Sequence, residues 1–376
     1  MKLQQLIQKI LRAASVIVAG LGIQANAQVG GPPAELLTLN HPRAQAVMAV
    51  QKAVTTEMMK LPGVLGTAVG LDDSGPTALV IYVDQDSPSR ADIVRGLPPQ
   101  IRGIGVKVEL TEKFRAFRGK PPGGGGGSGV SHTAFQTAPI QLGTSGGWRT
   151  DLANGYCCGG TLGSLIQVNG VQYILSNYHV FESDIVPGGN GIVATTGNNI
   201  IQPGLIDVGC NAGSAQNVAT LVKLSSLPGN NVDCSVAQVI PGMVSGAILE
   251  IGPISSTTVA ASLNQAVKKS GRTTGLSSSK VSGLNATISV AYENECAGGA
   301  AFTKTFTGQI VIANSGSAFL NSGDSGALMV ENVTTNPRAV GLLYAGSSTS
   351  AIANPINAVL TFVGGKLGGT ATMVGN

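Results

Sequence analysis

Asn321-Ser322-Gly323-Asp324-Ser325-Gly326-Ala327-Leu328-Met329-Val330 sets a serine between two glycines at the mouth of an apolar run. The spacing predicts a tight turn feeding a strand, with the Ser325 hydroxyl held on the turn. Glycine at 323 and 326 permits positive φ and lets a carbonyl come close to main-chain N–H groups. A hydroxyl is a poor nucleophile until a base takes its proton, and three histidines are available to do so. His41 and His132 stand in polar or Gly-rich surroundings near the N-terminus. His179 follows the apolar Gln172-Tyr173-Ile174-Leu175, which makes it the expected base.

Outward from this turn, short apolar runs recur between Gly, Asn and Ser turns. They are Ile166–Val168, Tyr173–Ser176, Val218–Leu224, Val232–Val239, Ala286–Ala291, Gln309–Ala313, Ala327–Val330 and Ala339–Tyr344. Only 19 of the 256 residues from 121 to 376 are charged, nine basic and ten acidic. Short strands at this spacing, with almost no helical periodicity, predict a mainly β barrel or sandwich.

The N-terminal third reads differently. Ala46, Val47, Val50, Val54, Met58 and Met59 recur at helical spacing between Pro42 and Lys60, and Pro62-Gly63 stops the pattern. Strands are expected at Val64–Leu71 and Ala78–Val83, joined by Asp72-Asp73-Ser74-Gly75-Pro76. A second helix is expected from Ser87-Pro88-Ser89 to about Arg95, then a strand over Gly103–Leu110. Helix–strand–strand–helix–strand is a small α+β sandwich of ferredoxin-like type without a clear first strand. Residues 28–120 are assigned to it, as a candidate prodomain in intramolecular contact with the domain C-terminal to it. Lys120-Pro121-Pro122, five glycines and Ser128-Gly129 make 121–135 a Gly-rich linker, and 136–376 is the β-rich domain.

Residues 1–27 combine Lys2, Lys9 and Arg12, an apolar stretch from Ala13 to Ile23, and Ala25-Asn26-Ala27. This matches a cleavable secretory signal, since eleven apolar residues are short for a membrane span of roughly 20. A secreted or periplasmic destination is expected. Without those three cations, 20 basic residues face 19 acidic ones. So near-neutral a chain, without a basic cluster, argues against a nucleic-acid partner, and no membrane partner is expected once the signal is gone. Five cysteines would then meet an oxidising compartment. Cys234, directly after Asp233, is the expected free thiol; Cys157, Cys158, Cys210 and Cys296 can form two bridges, with the connectivity open. No Cys-x-x-Cys occurs, so no zinc or other metal site is expected, and no cofactor.

His179, Asp233 and Ser325 come in the order base, orienter, nucleophile. With Cys157-Cys158-Gly159-Gly160-Thr161-Leu162, Leu175-Ser176-Asn177-Tyr178-His179, Asn230-Asn231-Val232-Asp233, Ser270-Gly271-Arg272-Thr273-Thr274-Gly275 and Gly341-Leu342-Leu343-Tyr344-Ala345-Gly346, residues 150–360 resemble the chymotrypsin-like (trypsin-like) serine peptidases of bacterial type. The resemblance implies a double β-barrel and hydrolysis of peptide bonds through an acyl-enzyme. His179 would be the general base, Asp233 its orienter and Ser325 the nucleophile. The N–H groups of Gly323 and Ser325 would form the oxyanion hole. Asp207 is the rival orienter, with Asp184 behind it. Phe319 would lie near the pocket floor and Tyr344, Ala345 and Gly346 on its wall, implying cleavage of protein or peptide substrates after uncharged residues.

Two departures stand out. No cysteine follows the histidine, where Val180-Phe181 stands, so Cys158 needs another partner. No Arg or Lys followed by Ile-Val-Gly-Gly precedes the domain, so Asp324 lacks the new N-terminus that would pair with it. Arg149 and Arg272 are candidate substitutes. The alternatives to an endopeptidase are an inactive peptidase-like binding protein and an esterase using the same three residues.

Overall fold

The computed structural model describes residues 37–116, 130–153, 156–183, 191–292 and 301–376. Helix α1 (Pro42–Met58) opens on a proline at its first turn, and the His41 imidazole Nδ1 accepts from the Arg43 N–H at 3.1 Å. This supplies the cap a helix start needs. The helix ends two residues before the expected Lys60 and lays Val47, Val50, Val54 and Met58 on one face of a small sheet, against Val69, Leu79 and Ile81. Strands β1 (Val64–Leu71) and β2 (Thr77–Asp84) form an antiparallel hairpin. In its turn, the Asp72 carboxylate accepts from the N–H groups of Ser74 and Gly75. Helix α2 (Arg90–Gly96) crosses to β3 (Gln100–Ile101) and β4 (Ile104–Thr111). With no first strand to intervene, β4 lies parallel to β2, from Ala78 opposite Gly105 to Asp84 opposite Thr111.

The remaining chain is mainly β. After β5 (Phe114–Ala116) come β6 (Ile140–Leu142), β7 (Thr144–Trp148), β8 (Leu152–Ala153), β9 (Tyr156–Cys157), β10 (Gly160–Leu162), β11 (Ser164–Val168) and β12 (Val171–Ser176). A one-turn helix, α3 (Tyr178–Phe181), precedes β13 (Asn199–Gln202), β14 (Gln216–Val222), β15 (Ser235–Val239) and β16 (Val244–Ile248). Seven of these and a late strand, β23 (Ala371–Met373), join in an antiparallel sheet ordered β10-β7-β13-β14-β15-β12-β11-β23. It curls around Leu162, Ile166, Ile174, Ile200, Leu221 and Val236.

The second barrel uses β17 (Ala266–Gly271), β18 (Gly275–Tyr292), β19 (Phe302–Ala313), β20 (Leu328–Glu331), β21 (Ala339–Gly346) and β22 (Ser350–Pro355). Pairing runs β17-β20-β21-β22-β19-β18 and returns from β18 to β17, so the sheet closes on itself. Val267, Val281, Ile312, Met329, Leu343 and Ala353 fill the interior, one from each strand. Helix α4 (Ile356–Leu367), not anticipated from the sequence, presses Ile356, Val359, Leu360 and Val363 onto the first barrel's core and stops at Gly368, φ 70°.

The eighteen residues of β18 are too many for a barrel strand alone. One edge belongs to β19; the other takes β17, then β1, then β5 in succession. Gly66 faces Ile288 and Gly70 faces Gly283, so the N-terminal sheet continues into the barrel sheet. The Gln51 side-chain amide donates to Asn285 O at 2.9 Å and accepts from Asn285 Nδ2 at 2.9 Å, tying α1 to the same strand. Beneath the junction, Leu65, Ala68, Val80, Tyr82 and Phe114 share an apolar group with Ala286, Ile288, Phe306, Tyr344 and Ile352.

Candidate active site

Strand β12 ends at Ser176, and α3 turns His179 toward the second barrel. Asp233 lies just before β15, which starts at Ser235 rather than at the expected Val232. The two meet: His179 Nδ1 and Asp233 Oδ2 are 2.6 Å apart, with His179 2% exposed and Asp233 fully buried. Tyr178 N–H donates to Asp233 Oδ1 at 2.8 Å. The Asn177 side chain donates to the Asp233 carbonyl at 2.7 Å, so the residues before His179 grip the residue that meets its Nδ1. Cys234 is the free, buried cysteine expected; burial first, then the Asp233 charge, pushes its thiol well above the ordinary range. Cys157 bridges Cys210, and Cys158 is also disulfide-bonded.

Ser325 is buried on its turn, with Gly323 at φ 96° and Gly326 at φ 94°. A Cβ on Gly326 would lie 2.2 Å from Ser176 Oγ and 2.3 Å from Thr161 O, so this glycine is required by contact as well as by φ. Thr161, on β10 of the first barrel, pins the turn from outside. Its N–H donates to Ser325 O and its hydroxyl to Gly323 O, both at 2.9 Å. Ser325 Oγ donates to Tyr344 O at 3.2 Å, and His179 Nε2 is buried with no hydrogen-bond partner among the described residues. In this arrangement the Ser325 hydroxyl and His179 Nε2 are not hydrogen-bonded to each other.

Asp324 holds the turn from inside. It accepts from the N–H groups of Thr273 (2.9 Å), Thr274 (3.1 Å) and Asn321 (2.9 Å), and its cation is Lys269, Nζ to Oδ1 3.3 Å. Both side chains are fully buried. Neither Arg149 nor Arg272, the expected substitutes, takes this place. Arg149 donates to Asn217 Oδ1, and Arg272 forks onto Asp207 at 2.8 and 2.6 Å. That fork, with Ser145 donating to the same carboxylate, occupies Asp207 as a partner of arginine rather than of histidine. Asp184 lies outside the described residues. His132 is engaged by Glu250 at 2.7 Å and His41 caps α1, which leaves neither at this site.

The pocket residues separate. Phe319 is 2% exposed and packs in the second barrel's core with Ala327, Met329 and Leu343. Tyr344 and Ala345 belong to the apolar group at the junction. The edge of β21 is taken by the chain itself: Ala116 of β5 pairs with Ala345 and Arg115 with Gly346, antiparallel. Phe114 behind them is fully buried, its ring edge-on to Tyr82 at 5.6 Å.

Sequence reading missed four contributors: Thr161, Lys269, Tyr292 and Asn354. Tyr292 Oη donates to Asp233 Oδ2 at 2.8 Å, and Asn354 Oδ1 accepts the Asp233 N–H at 3.3 Å. For Lys269 a signal existed. In a strand reading Val267-Lys268-Lys269-Ser270, alternation must turn one lysine inward. For Tyr292, 59 residues from its partner, none did.

No family model and no curated protein matches the chain. Several solved structures resemble it. A glutamic-acid-specific serine protease is 16% identical, with a TM-score of 0.41, over 62% of this chain and 100% of that one. Protease A of Thermobifida fusca gives 16% and 0.41 over 63% and 99%. The Cellulomonas bogoriensis chymotrypsin gives 21% and 0.35 over 57% and 91%. At such values the likeness concerns the fold alone, and only the geometry of the site bears on chemistry.

Proposed function

We propose that the chain is a secreted or periplasmic serine endopeptidase of the chymotrypsin-like family, with His179 as base, Asp233 as orienter and Ser325 as nucleophile. The observation that carries the reading is the buried 2.6 Å contact between His179 Nδ1 and Asp233 Oδ2, with Nε2 left unengaged. A carboxylate on Nδ1 fixes the tautomer whose Nε2 accepts a proton. In the reactive arrangement the Ser325 hydroxyl would leave Tyr344 O and donate to that nitrogen. Attack on a substrate carbonyl would then pass the proton to His179, and the imidazolium would return it to the leaving amine. The N–H groups of Asp324 and Gly326 are spent on Asn321 O and Leu343 O. Those of Gly323 and Ser325 have no hydrogen-bond acceptor among the described residues and are the donors proposed for the oxyanion. An apolar wall at Tyr344, Ala345 and Gly346 favours uncharged side chains before the scissile bond. The Cys157–Cys210 bridge fits an oxidising compartment.

A fluorophosphonate probe should phosphonylate the protein, with fluoride leaving, and peptide mapping should find the adduct on Ser325. An adduct elsewhere, or none after release of the N-terminal unit, would favour a non-catalytic binding protein. Labelling with turnover of esters and of no peptide would favour an esterase.

In this reading residues 28–120 act as a cap. Residues Arg115 and Ala116 hold the edge of β21 that an extended peptide would need, so the intact chain is expected to react slowly. Replacing Phe114 by Ala empties a fully buried site that helps hold β5. Each ~1.4 kcal/mol of lost contact raises the open fraction tenfold, so at least a tenfold faster probe reaction is expected with the N-terminal unit attached. Equal rates in the two proteins would remove the cap from the proposal.

A further inference from the structure

Asp233 is fully buried, and three protein donors meet its carboxylate. Its Oδ1 takes the Tyr178 N–H; its Oδ2 takes both His179 Nδ1–H at 2.6 Å and Tyr292 Oη–H at 2.8 Å. Tyr292 comes from the far end of β18, in the other barrel, and its ring stands edge-to-face against the His179 imidazole, centroids 6.0 Å apart at 73°. Phe302 and Phe306 pack on the same ring. Its strand is held by β19 on one edge, Tyr292 facing Phe302, and by β5 on the other, Tyr292 facing Ala116. The Tyr344 hydroxyl, buried in the same apolar group, has no hydrogen-bond partner. Tyr292 is therefore the side-chain hydroxyl that shares the carboxylate with the base.

We propose that Tyr292 is a positioning residue of the catalytic pair: its hydroxyl fixes the rotamer of Asp233 and moderates how strongly the carboxylate holds the protonated His179. This rests on the endopeptidase reading for its consequence in catalysis, but not for its effect on the histidine. A carboxylate that donates charge into two hydrogen bonds at one oxygen attracts an imidazolium less than one with a single bond. The other titratable groups near this centre are Tyr344, Cys234 and Glu182, and burial holds Cys234 and Tyr344 neutral through the neutral range and pushes Glu182 upward. Burial first, then the Asp233 charge, likewise keeps Tyr292 protonated, so it stays a donor there.

The test is Tyr292→Phe, which keeps the ring and its aromatic contacts. With the donor gone, the imidazolium is favoured, and the proton on His179 should leave at higher pH. The acid limb of kcat/KM should move up by about half to one pH unit, with kcat down several-fold and KM within about twofold. Histidine NMR gives a second readout: the His179 titration should move upward while His41 and His132 stay in place. Tyr173→Phe, the same deletion in the first barrel, should move nothing. If Tyr292→Phe does not fold, 3-fluorotyrosine at position 292, a stronger donor, should move both readouts down. A His179 titration and acid limb that stay in place in a folded variant overturn the proposal. A titration that moves in a protein that the fluorophosphonate does not label supports the positioning role and removes the endopeptidase reading instead.

Discussion

Asp233→Asn is expected to lower kcat by about 10⁴ while leaving KM within a few-fold, because the exchange removes a proton acceptor where two donors converge. Asp233 Oδ2 receives His179 Nδ1–H and Tyr292 Oη–H, and Oδ1 receives Tyr178 N–H. An amide offers one oxygen and one NH₂. If the NH₂ faces Tyr178, two donors oppose each other in a fully buried site, which costs about 1–3 kcal/mol. If it faces His179, Nδ1 must become the acceptor and the proton moves to Nε2, where it blocks abstraction from Ser325. The first keeps the tautomer but carries that cost; the second avoids it, keeps the fold and loses the base. Steady-state kinetics with thermal unfolding checks this. A variant within tenfold of wild-type kcat would show that His179 does not depend on this carboxylate.

What the sequence disclosed of this site depends on how local each determinant is. The Ser325 turn and the glycines that permit it lie within ten residues, so their chemistry and backbone demands were legible together. His179 and Asp233 were legible as types at strand ends, since an imidazole after a buried strand and a carboxylate before one must both find partners. Partners across the barrel interface were not. Tyr292 terminates an alternating strand and looks like any apolar-facing aromatic. The exchange of Arg272 for Lys269 as the cation of Asp324 depends on which face of β17 turns inward. Of the fold, the strand-rich domain and the order of the α+β unit were readable from periodicity. The union of the two sheets was not, because pairing of β1 with β18 joins residues more than two hundred apart, and edge-to-edge pairing leaves no mark on either strand's pattern. Helix α4 was missed although Ile356, Val359, Leu360 and Val363 carry helical spacing, because two glycines and a β-branched neighbour dilute it.

Lys269→Met is expected to destabilise the protein by about 3–5 kcal/mol and, where it folds, to lower kcat by about 10²–10³. The lysine is fully buried, yet its Nζ donates to Gly275 O at 3.1 Å and to Thr274 Oγ1 besides facing Asp324. Removing it leaves a carboxylate without a cation at the centre of four hydrogen bonds that shape the Gly323–Ser325 turn. Adding Asp324→Asn should restore stability, since both charges are then gone, but not the rate, because an amide cannot receive the three N–H groups and Thr274 Oγ1 together. Because Lys269 performs this task, acetylating the α-amino group of the processed chain should leave activity intact. Burial lowers the Lys269 pKa below the ordinary lysine value, with Asp324 pulling the other way. The sign then separates activity from stability. The native state binds this proton less tightly than the unfolded chain, so between the native value and about 10.4 rising pH costs no stability through this group. Activity in that window should nevertheless fall, as Asp324 loses its cation. His132, beside Glu250 across Gly275, and Arg272, held by Asp207, do not replace it, since each already has its own partner. Fluorescence of the buried Trp148 should stay native while kcat/KM declines. If activity and fluorescence fall together, the alkaline limb is unfolding and Lys269 does not hold the turn.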